Sequence, residues 1–328
     1  MTAELRTARR DRVFDAMDGA GIDVLVLGRR DSVAYATGIR SLWTAGTRAF
    51  GAACTLVGDG RSVHMLSSWD AGIPPEVPFD NLYGITWNPA TMASALGSID
   101  GLPEARRIGV DALSPGFARA VRRLAPSAEL VAADDVLGTV RAVKLPAEVE
   151  RIAAAVAVAR AGVDAVTAVL RAGGSTAEAL SAAAVALAER GTTVPSSAPV
   201  VAPLDGPGSL VHVDVGVLVD GYEGGLGRTI SLAAARDSGL DAVVAAHRRL
   251  LDACRPGATA HDLRAAAEGT TGWMVRGTGM GFEPPVVTAT LGDRVVLAAG
   301  NVVSVEVDVD GLRHRDLAHV TRDGTEIL

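Results

Sequence analysis

The segment from Leu210 to Ile230, LVHVDVGVLVDGYEGGLGRTI, constrains the fold more than any other part of the chain. Its first half is an apolar run that contains one acid, Asp214, and Gly221-Tyr222 follows where the run must turn. This pattern predicts a β-hairpin with its turn at or near Gly221. Because buried acids are usually paired, Asp214 is either a site residue or a structural acid bonded to backbone amides or to Arg315.

A second pair of strands is predicted at residues 301–320, NVVSVEVDVDGLRHRDLAHV. Strand alternation separates its valines from the acids on the other face, Glu306, Asp308 and Asp310. That acidic face either lines a cavity or is solvated. The same alternation directs His314 away from three residues that share a face, Arg313, Arg315 and His319.

Together these segments resemble the methionine aminopeptidase, prolidase and creatinase superfamily, which has the pita-bread fold. There the first segment reads roughly hydrophobic-x-x-Asp-x-Gly, then Gly-Tyr, then Ser-Asp-x-Thr-Arg-Thr. The matching residues here are Asp214, Gly216, Gly221, Tyr222, Arg228 and Thr229. The glycine-rich segment 277–281 and the run Glu283-Pro284-Pro285 also match the superfamily in frame. The resemblance extends over nearly the whole chain.

The resemblance implies a two-metal hydrolase site, but several of its ligands are replaced. Asp214 and Glu306 match two of the ligands. Gly225 stands at the second aspartate, Thr278 at the metal-binding histidine and Arg315 at the last glutamate. Two oxygen ligands beside a guanidinium cannot hold two transition-metal ions at close range.

Charge leads to the same interpretation. A buried cluster of acids is tolerable when divalent cations neutralise it, and removal of the cations leaves repulsion and desolvation uncompensated. Arg315 supplies a fixed positive charge suited to bidentate pairing with a carboxylate. We therefore predict a cavity without metal or cofactor, in which Arg315 stands in for the lost ions. Decay of the ligands after loss of function is the alternative.

Composition limits the other classes of function. The net charge of −7 and the lack of a Lys/Arg run argue against a nucleic-acid surface. Lys144 is the only lysine, which leaves almost no candidate for Schiff-base chemistry. Cys54 and Cys254 lie far apart in apolar or helical segments and are expected to be inert buried thiols. Without a signal-like N-terminus or a stretch approaching a membrane span, we expect a cytoplasmic protein that does not enter membranes.

Two domains are expected, and the fold class is α/β (α+β). Residues 1–140 alternate short apolar strands with helices and resemble the small N-terminal α/β domain of the creatinase and prolidase branch. Residues 141–328 resemble the pita-bread domain, a curved antiparallel sheet flanked by helices. Pro146, with Glu148 in the first turn, is typical of a helix start after that boundary. A Pro/Ser-rich loop is expected from Thr192 to Pro207.

Two hypotheses of different classes follow. The first is a metal-independent enzyme that acts on a small polar substrate by hydrolysis, elimination, decarboxylation or isomerisation. Its catalytic residues would be Asp214 and Glu306 as acid/base groups and Arg315 as an anion clamp. The second is a non-catalytic pita-bread protein that binds a peptide or a protein. A metallo-aminopeptidase or prolidase with a displaced metal site is a weaker third.

Further residues are candidates for binding the small-molecule substrate because they match the superfamily's motifs or flank them. They are Tyr222, Arg228, Trp273, Arg276, Thr278, Glu283, Arg313 and His319. Trp273 and Arg276 form one wall for a planar substrate or simply pack, and His319 is either a structural histidine or an acid/base group. The resemblance also implies a homodimer.

Overall fold

The computed structural model describes residues 2–39, 54–66, 73–84, 89–111, 114–204, 209–233 and 238–328. Internal contacts divide the chain into two compact units, Met1–Val140 and Arg141–Leu328. Each unit has its own sheet and its own hydrophobic core.

The first unit is built on a five-stranded sheet in the order β3-β2-β1-β4-β5, in which β1, β4 and β5 are parallel and β2 and β3 antiparallel. Its strands are β1 (Val24–Leu27), β2 (Cys54–Val57), β3 (Ser62–Met65), β4 (Arg107–Val110) and β5 (Glu129–Ala132). Its helices are α1 (Ala3–Ala20), α2 (Arg30–Thr37), α3 (Pro89–Gly97), α4 (Pro115–Leu124) and α5 (Ala133–Ala142), with short 3-10 helices at Asp59–Arg61 and Phe79–Asn81. Every residue of β1 is buried, as expected for a strand covered on both faces.

The second unit has an eight-stranded antiparallel sheet in the order β10-β9-β11-β12-β8-β7-β6, with β13 paired to β12. Its strands are β6 (Pro195–Pro203), β7 (Leu210–Val219), β8 (Tyr222–Ser231), β9 (Gly272–Gly279), β10 (Gly281–Val287), β11 (Val302–Val309), β12 (Leu312–Val320) and β13 (Thr325–Ile327). Its helices are α6 (Pro146–Arg171), α7 (Thr176–Ala188), α8 (Ser238–Ala253) and α9 (Ala260–Ala266). The mixed α/β architecture with a curved antiparallel sheet flanked by helices confirms the predicted fold class.

The larger sheet has one apolar face and one polar face. Alternate valines of β7 and β11 are buried against the helices, those of β7 in a cluster with α6 and α7 and those of β11 in a cluster with α8 and α9. Because side chains alternate along a strand, the residues between these valines lie on the opposite side. We call that side the polar face and define it by Asp214, Glu223, Arg276, Glu306 and Arg315.

Helix α6 corrects the expectation that no stretch approaches a membrane span. Within the described ranges it is the one helix long and apolar enough to cross a membrane. Its buried residues include Ile152, Val156 and Val163, and the helix packs against β7 and β8. A helix that is buried in the core of a domain needs the same apolar composition as one that crosses a membrane, which explains the apolar sequence of α6.

Strand β6 corrects the expectation of a loop between Thr192 and Pro207. It pairs with β7 at the edge of the sheet, with register shifts between Pro195 and Ser197 and between Ser197 and Val200. An edge position and irregular pairing tolerate proline, because proline lacks the N–H that an inner strand must donate. The proline content therefore misled the sequence analysis, and residues 205–208 of the expected loop lie outside the described residues.

Candidate active site on the polar face

A bidentate ion pair between Arg315 and Asp214 lies at the centre of the polar face. Nε of Arg315 donates to Oδ2 of Asp214 at 2.9 Å, and Nη2 donates to Oδ1 at 2.5 Å. The two residues face each other across β8, where Gly227 pairs with both of them. A Cβ at position 227 would lie 2.5 Å from Oδ2 of Asp214, so only glycine leaves room for this pair.

Gly225 marks where the arginine head group sits. A Cβ built at this position would lie 2.5 Å from Nη1 and 2.8 Å from Nη2 of Arg315. The guanidinium therefore fills the space that a side chain at 225 would occupy. The resemblance implies a metal-binding aspartate at this position. The residues present therefore do not fit a pair of metal ions that an aspartate at position 225 would bind.

Glu223 is a buried acid on this face that the sequence analysis missed. It accepts hydrogen bonds from both Nη atoms of Arg276, at 3.0 and 2.5 Å, and one from the hydroxyl of Thr278 at 2.9 Å. Nη1 of Arg315 lies 3.9 Å from its Oε1. Burial by itself raises the pKa of Glu223, but the hydrogen bond and charge of Arg276 outweigh burial and hold that pKa below its usual range. Alternation along β8, which also puts Gly225 on the polar face, was the signal available for this residue.

The carboxylate of Glu306, on the polar face, has no partner among the described residues. It lies beside Arg315 on β12 and Met274 on β9. It lines a cavity of about 250 Å³ together with Gly272, Trp273, Met274, Asp308 and Arg313. At the rim Nε of Arg313 donates to Asp308 at 2.9 Å, which pairs that acid as well.

His212 also lies on the polar face, two residues before Asp214 on β7, at a position to which no motif in the sequence points. Its side chain is buried, and its Nδ1 has no hydrogen-bond partner within the described segments. Burial lowers the pKa of His212, opposed by the nearby charge of Asp214. The lowered pKa favours the neutral form of the ring.

Two predicted binding residues lie on the helix side of the sheet and have structural partners there. Tyr222 is fully buried on the helix side and donates its hydroxyl to Oε1 of Glu148 at 3.0 Å. Arg228 lies on that same side, where it binds Asp316 and the backbone carbonyl of Arg315. Both residues match the superfamily's motifs, but these contacts stabilise the sheet and helix packing rather than lining the cavity.

Glu283 is held inside a cationic cluster away from the polar face. It accepts from Nη2 of Arg141 at 2.7 Å and from Nζ of Lys144 at 2.9 Å, and also from the backbone amide of Met280. Burial raises the pKa of Glu283, but the charges of Lys144 and Arg141 hold it below the usual value.

Trp273 and His319, two further predicted binding residues, lie in different parts of the sheet. Trp273 contributes to the lining of the cavity, but it pairs with Val307 and its side chain packs against the apolar cluster of the helix side. His319 is half-buried on β12, opposite Val302 and beside Glu326 of β13. By strand alternation it lies on the same face as Arg315, two residues beyond Leu317.

The helix side of the sheet carries a polar cluster of its own, made of His247, His314, Asp316 and Arg228. Nε2 of His314 lies 3.3 Å from Oδ2 of Asp316, and Nε2 of His247 lies 3.7 Å from the same oxygen. Burial lowers the pKa of His247 to about 4, so its ring is neutral at pH 7. His314 points away from the polar face, in line with strand alternation.

Comparison with known proteins identifies relatives of both units. The model described as metallopeptidase family M24 matches residues 150–322, and that of the creatinase/prolidase N-terminal domain matches residues 9–143. A search of curated proteins gave no match.

Solved structures similar to this chain include a prolidase, an Xaa-Pro dipeptidase and an X-Pro aminopeptidase. The prolidase from Pyrococcus horikoshii OT3 has a TM-score of 0.73 and 19% identity, covering 98% of this chain and 97% of its own. An Xaa-Pro dipeptidase from Bacillus anthracis has a TM-score of 0.76 and 19% identity, with 98% and 97% coverage. The X-Pro aminopeptidase from Thermotoga maritima MSB8 has a TM-score of 0.77 and 17% identity, with 97% and 96% coverage. At these identities the likeness concerns the fold.

Proposed function

Because the chain belongs to metallopeptidase family M24, we propose that it is a pita-bread enzyme that has exchanged the family's metal chemistry for carboxylate acid/base chemistry on a small polar substrate. One observation carries this proposal. The Arg315 guanidinium fills the space beside Gly225 and binds Asp214 through two hydrogen bonds. This cation occupies the space of a metal ligand and supplies the counter-charge of the acids, so divalent ions are unnecessary there.

The charges on the polar face support a specific division of roles. Three arginines pair with three acids, which are Arg315 with Asp214, Arg276 with Glu223 and Arg313 with Asp308. This pairing leaves the carboxylate of Glu306 uncompensated at the cavity. Arg315 is therefore better suited to stabilising the cavity than to clamping an anionic substrate, which revises the role that the sequence favoured for it.

Glu306 is the group best suited to move a proton. Its carboxylate borders the cavity, so it can accept a proton from a substrate N–H or O–H and return it to another atom of the substrate. The His212 ring is a second proton acceptor on the same face. A substrate with a cationic or hydrogen-bond-donating group matches the uncompensated negative charge, whereas an anionic substrate does not.

The test pairs binding with turnover. Thermal midpoints are measured with agmatine, L-arginine, creatine, Ala-Pro and citrate, for the wild type and for Glu306→Gln. We expect the cationic or guanidino compounds to stabilise the wild type and not the variant, and citrate to stabilise neither. Compounds that bind are then followed by mass spectrometry with EDTA and with Mn²⁺, and turnover should be unaffected by EDTA. Hydrolysis of Ala-Pro that requires Mn²⁺ would overturn the proposal.

A non-catalytic binding protein is the second candidate, favoured by the pairing of Asp214, Glu223 and Asp308 with arginines on the polar face. Saturable binding of a probe without any chemical change in it, at any pH from 5 to 9, would favour this candidate.

We also propose a cytoplasmic homodimer that does not bind nucleic acid, on the basis of the family resemblance and the net charge of −7. Light scattering coupled to gel filtration tests the dimer, and a monomer at micromolar concentration would contradict it.

A further inference from the structure

A second polar centre lies on the helix side of the large sheet, on the opposite face from the proposed active site. It is formed by His247 from α8 and by His314 and Asp316 from β12. One ligand atom from each of the three residues lies within 4.8 Å of the others. His247 and Asp316 are buried and His314 is half-buried, so the centre is enclosed but within reach of solvent.

His247 is a buried histidine with one unpaired ring nitrogen. The residue is only 3% exposed, yet Nε2 has no hydrogen-bond partner among the described residues. The backbone carbonyl of Val305 accepts a hydrogen bond from the ring, which by elimination comes from Nδ1. That bond fixes the tautomer that leaves a lone pair on Nε2, and metal-binding histidines are oriented in this way.

The unpaired Nε2 of His247 lies close to the other two groups. Nε2 of His247 is 3.7 Å from Oδ2 of Asp316, which is too long for a hydrogen bond, and Nε2 of His314 is 3.3 Å from the same oxygen. Ligand atoms bound tetrahedrally at about 2.0–2.1 Å lie about 3.4 Å apart, so the two distances to Asp316 need little change. The ligand atoms of the two histidines lie within 4.8 Å of each other and would move closer together on binding. The two rings already lie close, with centroids 4.3 Å apart.

Asp316 is oriented by a second interaction. Arg228 donates to its Oδ1, which leaves Oδ2 directed at the histidines. A hydrogen bond between His314 and Asp316 explains those two residues as a structural pair. It does not explain His247, since leaving a buried imidazole nitrogen unpaired costs free energy.

We propose that His247, His314 and Asp316 bind one divalent transition-metal ion, Zn²⁺ or an ion of similar preference, with water completing the coordination. The ion ties α8 to β12 and its role is structural. This site is separate from the polar face, so it neither requires nor contradicts a metal-free active site.

Titration with Co²⁺ and Zn²⁺ tests the proposal on the full-length protein after dialysis against a chelator. We expect one equivalent of Co²⁺ to give the visible spectrum of a tetrahedral site, Zn²⁺ to abolish it, and Zn²⁺ to raise the thermal midpoint. His247→Ala should weaken binding by at least about tenfold, because loss of a residue that only orients a metal ligand already has an effect of that size. His261→Ala, which removes an exposed histidine on α9, is the matched control and should bind like the wild type.

Two further variants keep the test decisive. If His247→Ala does not fold, His314→Asn is measured by the same criterion. Glu306→Gln distinguishes this site from the polar face, because it should leave the Co²⁺ spectrum unchanged. No saturable binding by the wild type, or equal binding by wild type and the folded histidine variant, would overturn the proposal. Loss of the spectrum in Glu306→Gln alone would locate the ion on the polar face and would count against both proposals.

Discussion

Replacing Arg315 with methionine removes the positive charge at the centre of the polar face and keeps a side chain about as long as the aliphatic part of arginine. The change leaves Asp214 without its partner, and side-chain exposure is only 8% for Arg315 and 18% for Asp214. Removing one partner of a largely buried ion pair costs about 3–5 kcal/mol, and we take about 3 kcal/mol because Asp214 retains some contact with water. For a unit of this size that corresponds to a fall of about 6–12 °C in thermal midpoint.

A double-mutant cycle separates the ion pair from general packing effects. Asp214→Asn and the double variant Arg315→Met/Asp214→Asn are measured by urea unfolding along with the single Arg315→Met. We expect the double variant to be more stable than the sum of the single changes predicts, by about 2 kcal/mol. A coupling free energy near zero, or an Arg315→Met variant as stable as the wild type, would refute the interpretation of Arg315 as the counter-charge.

Three other predictions concern the packing and charges around the site. Gly224→Ala should destabilise the protein by about 2–3 kcal/mol, since its methyl group would overlap the backbone of Ala155 in α6; a midpoint within a degree of the wild type would contradict this. Lys144→Met should destabilise the protein at pH 7 because Glu283 loses a buried partner. Since folding lowers the pKa of Glu283, the contribution of this carboxylate to stability is present above about pH 4.3 and is lost as the pH falls further. The difference in unfolding free energy between wild type and this variant should therefore shrink at pH 3, and a constant difference would be the contrary result. Thr278→Val should cost about 1–2 kcal/mol because Glu223 loses a buried hydrogen bond, whereas Thr278→Ser should restore it; equal stability of the two variants would count against that bond.

The sequence predicted those parts of the fold in which apolar periodicity and turn chemistry agree. The hairpin at Gly221 forms as expected, and alternation along β11 correctly directs Glu306 away from the buried Val305 and Val307. Strand β6 was missed because prolines outweighed the pairing that an edge strand still makes with β7. Tertiary pairing of this kind leaves no periodic signal in a single sequence.

The site was predictable only in part, for a related reason. Asp214 and Arg315 were candidates for pairing from their positions in the motif, and the structure joins them. Glu223 was missed because a motif of metal ligands offers no role to that position, although alternation put it on the same face. The motif also misled in the case of Arg228, since a match to a sequence pattern does not record which side of a sheet a residue faces.

His247 was invisible to the sequence analysis for a different reason. It lies on α8, more than sixty residues from His314 and Asp316, and helix packing alone brings the three together. Spacing along the chain carries no information about such a cluster.

The most direct test of the central claim, that a guanidinium has replaced divalent ions on the polar face, is a crystal structure with anomalous scattering data after soaking in Mn²⁺. We expect no anomalous peak within coordination distance of Asp214 or Glu306, and an Arg315 head group bound to Asp214 beside Gly225. Two peaks bridging those acids, with Arg315 turned out towards solvent, would contradict the account.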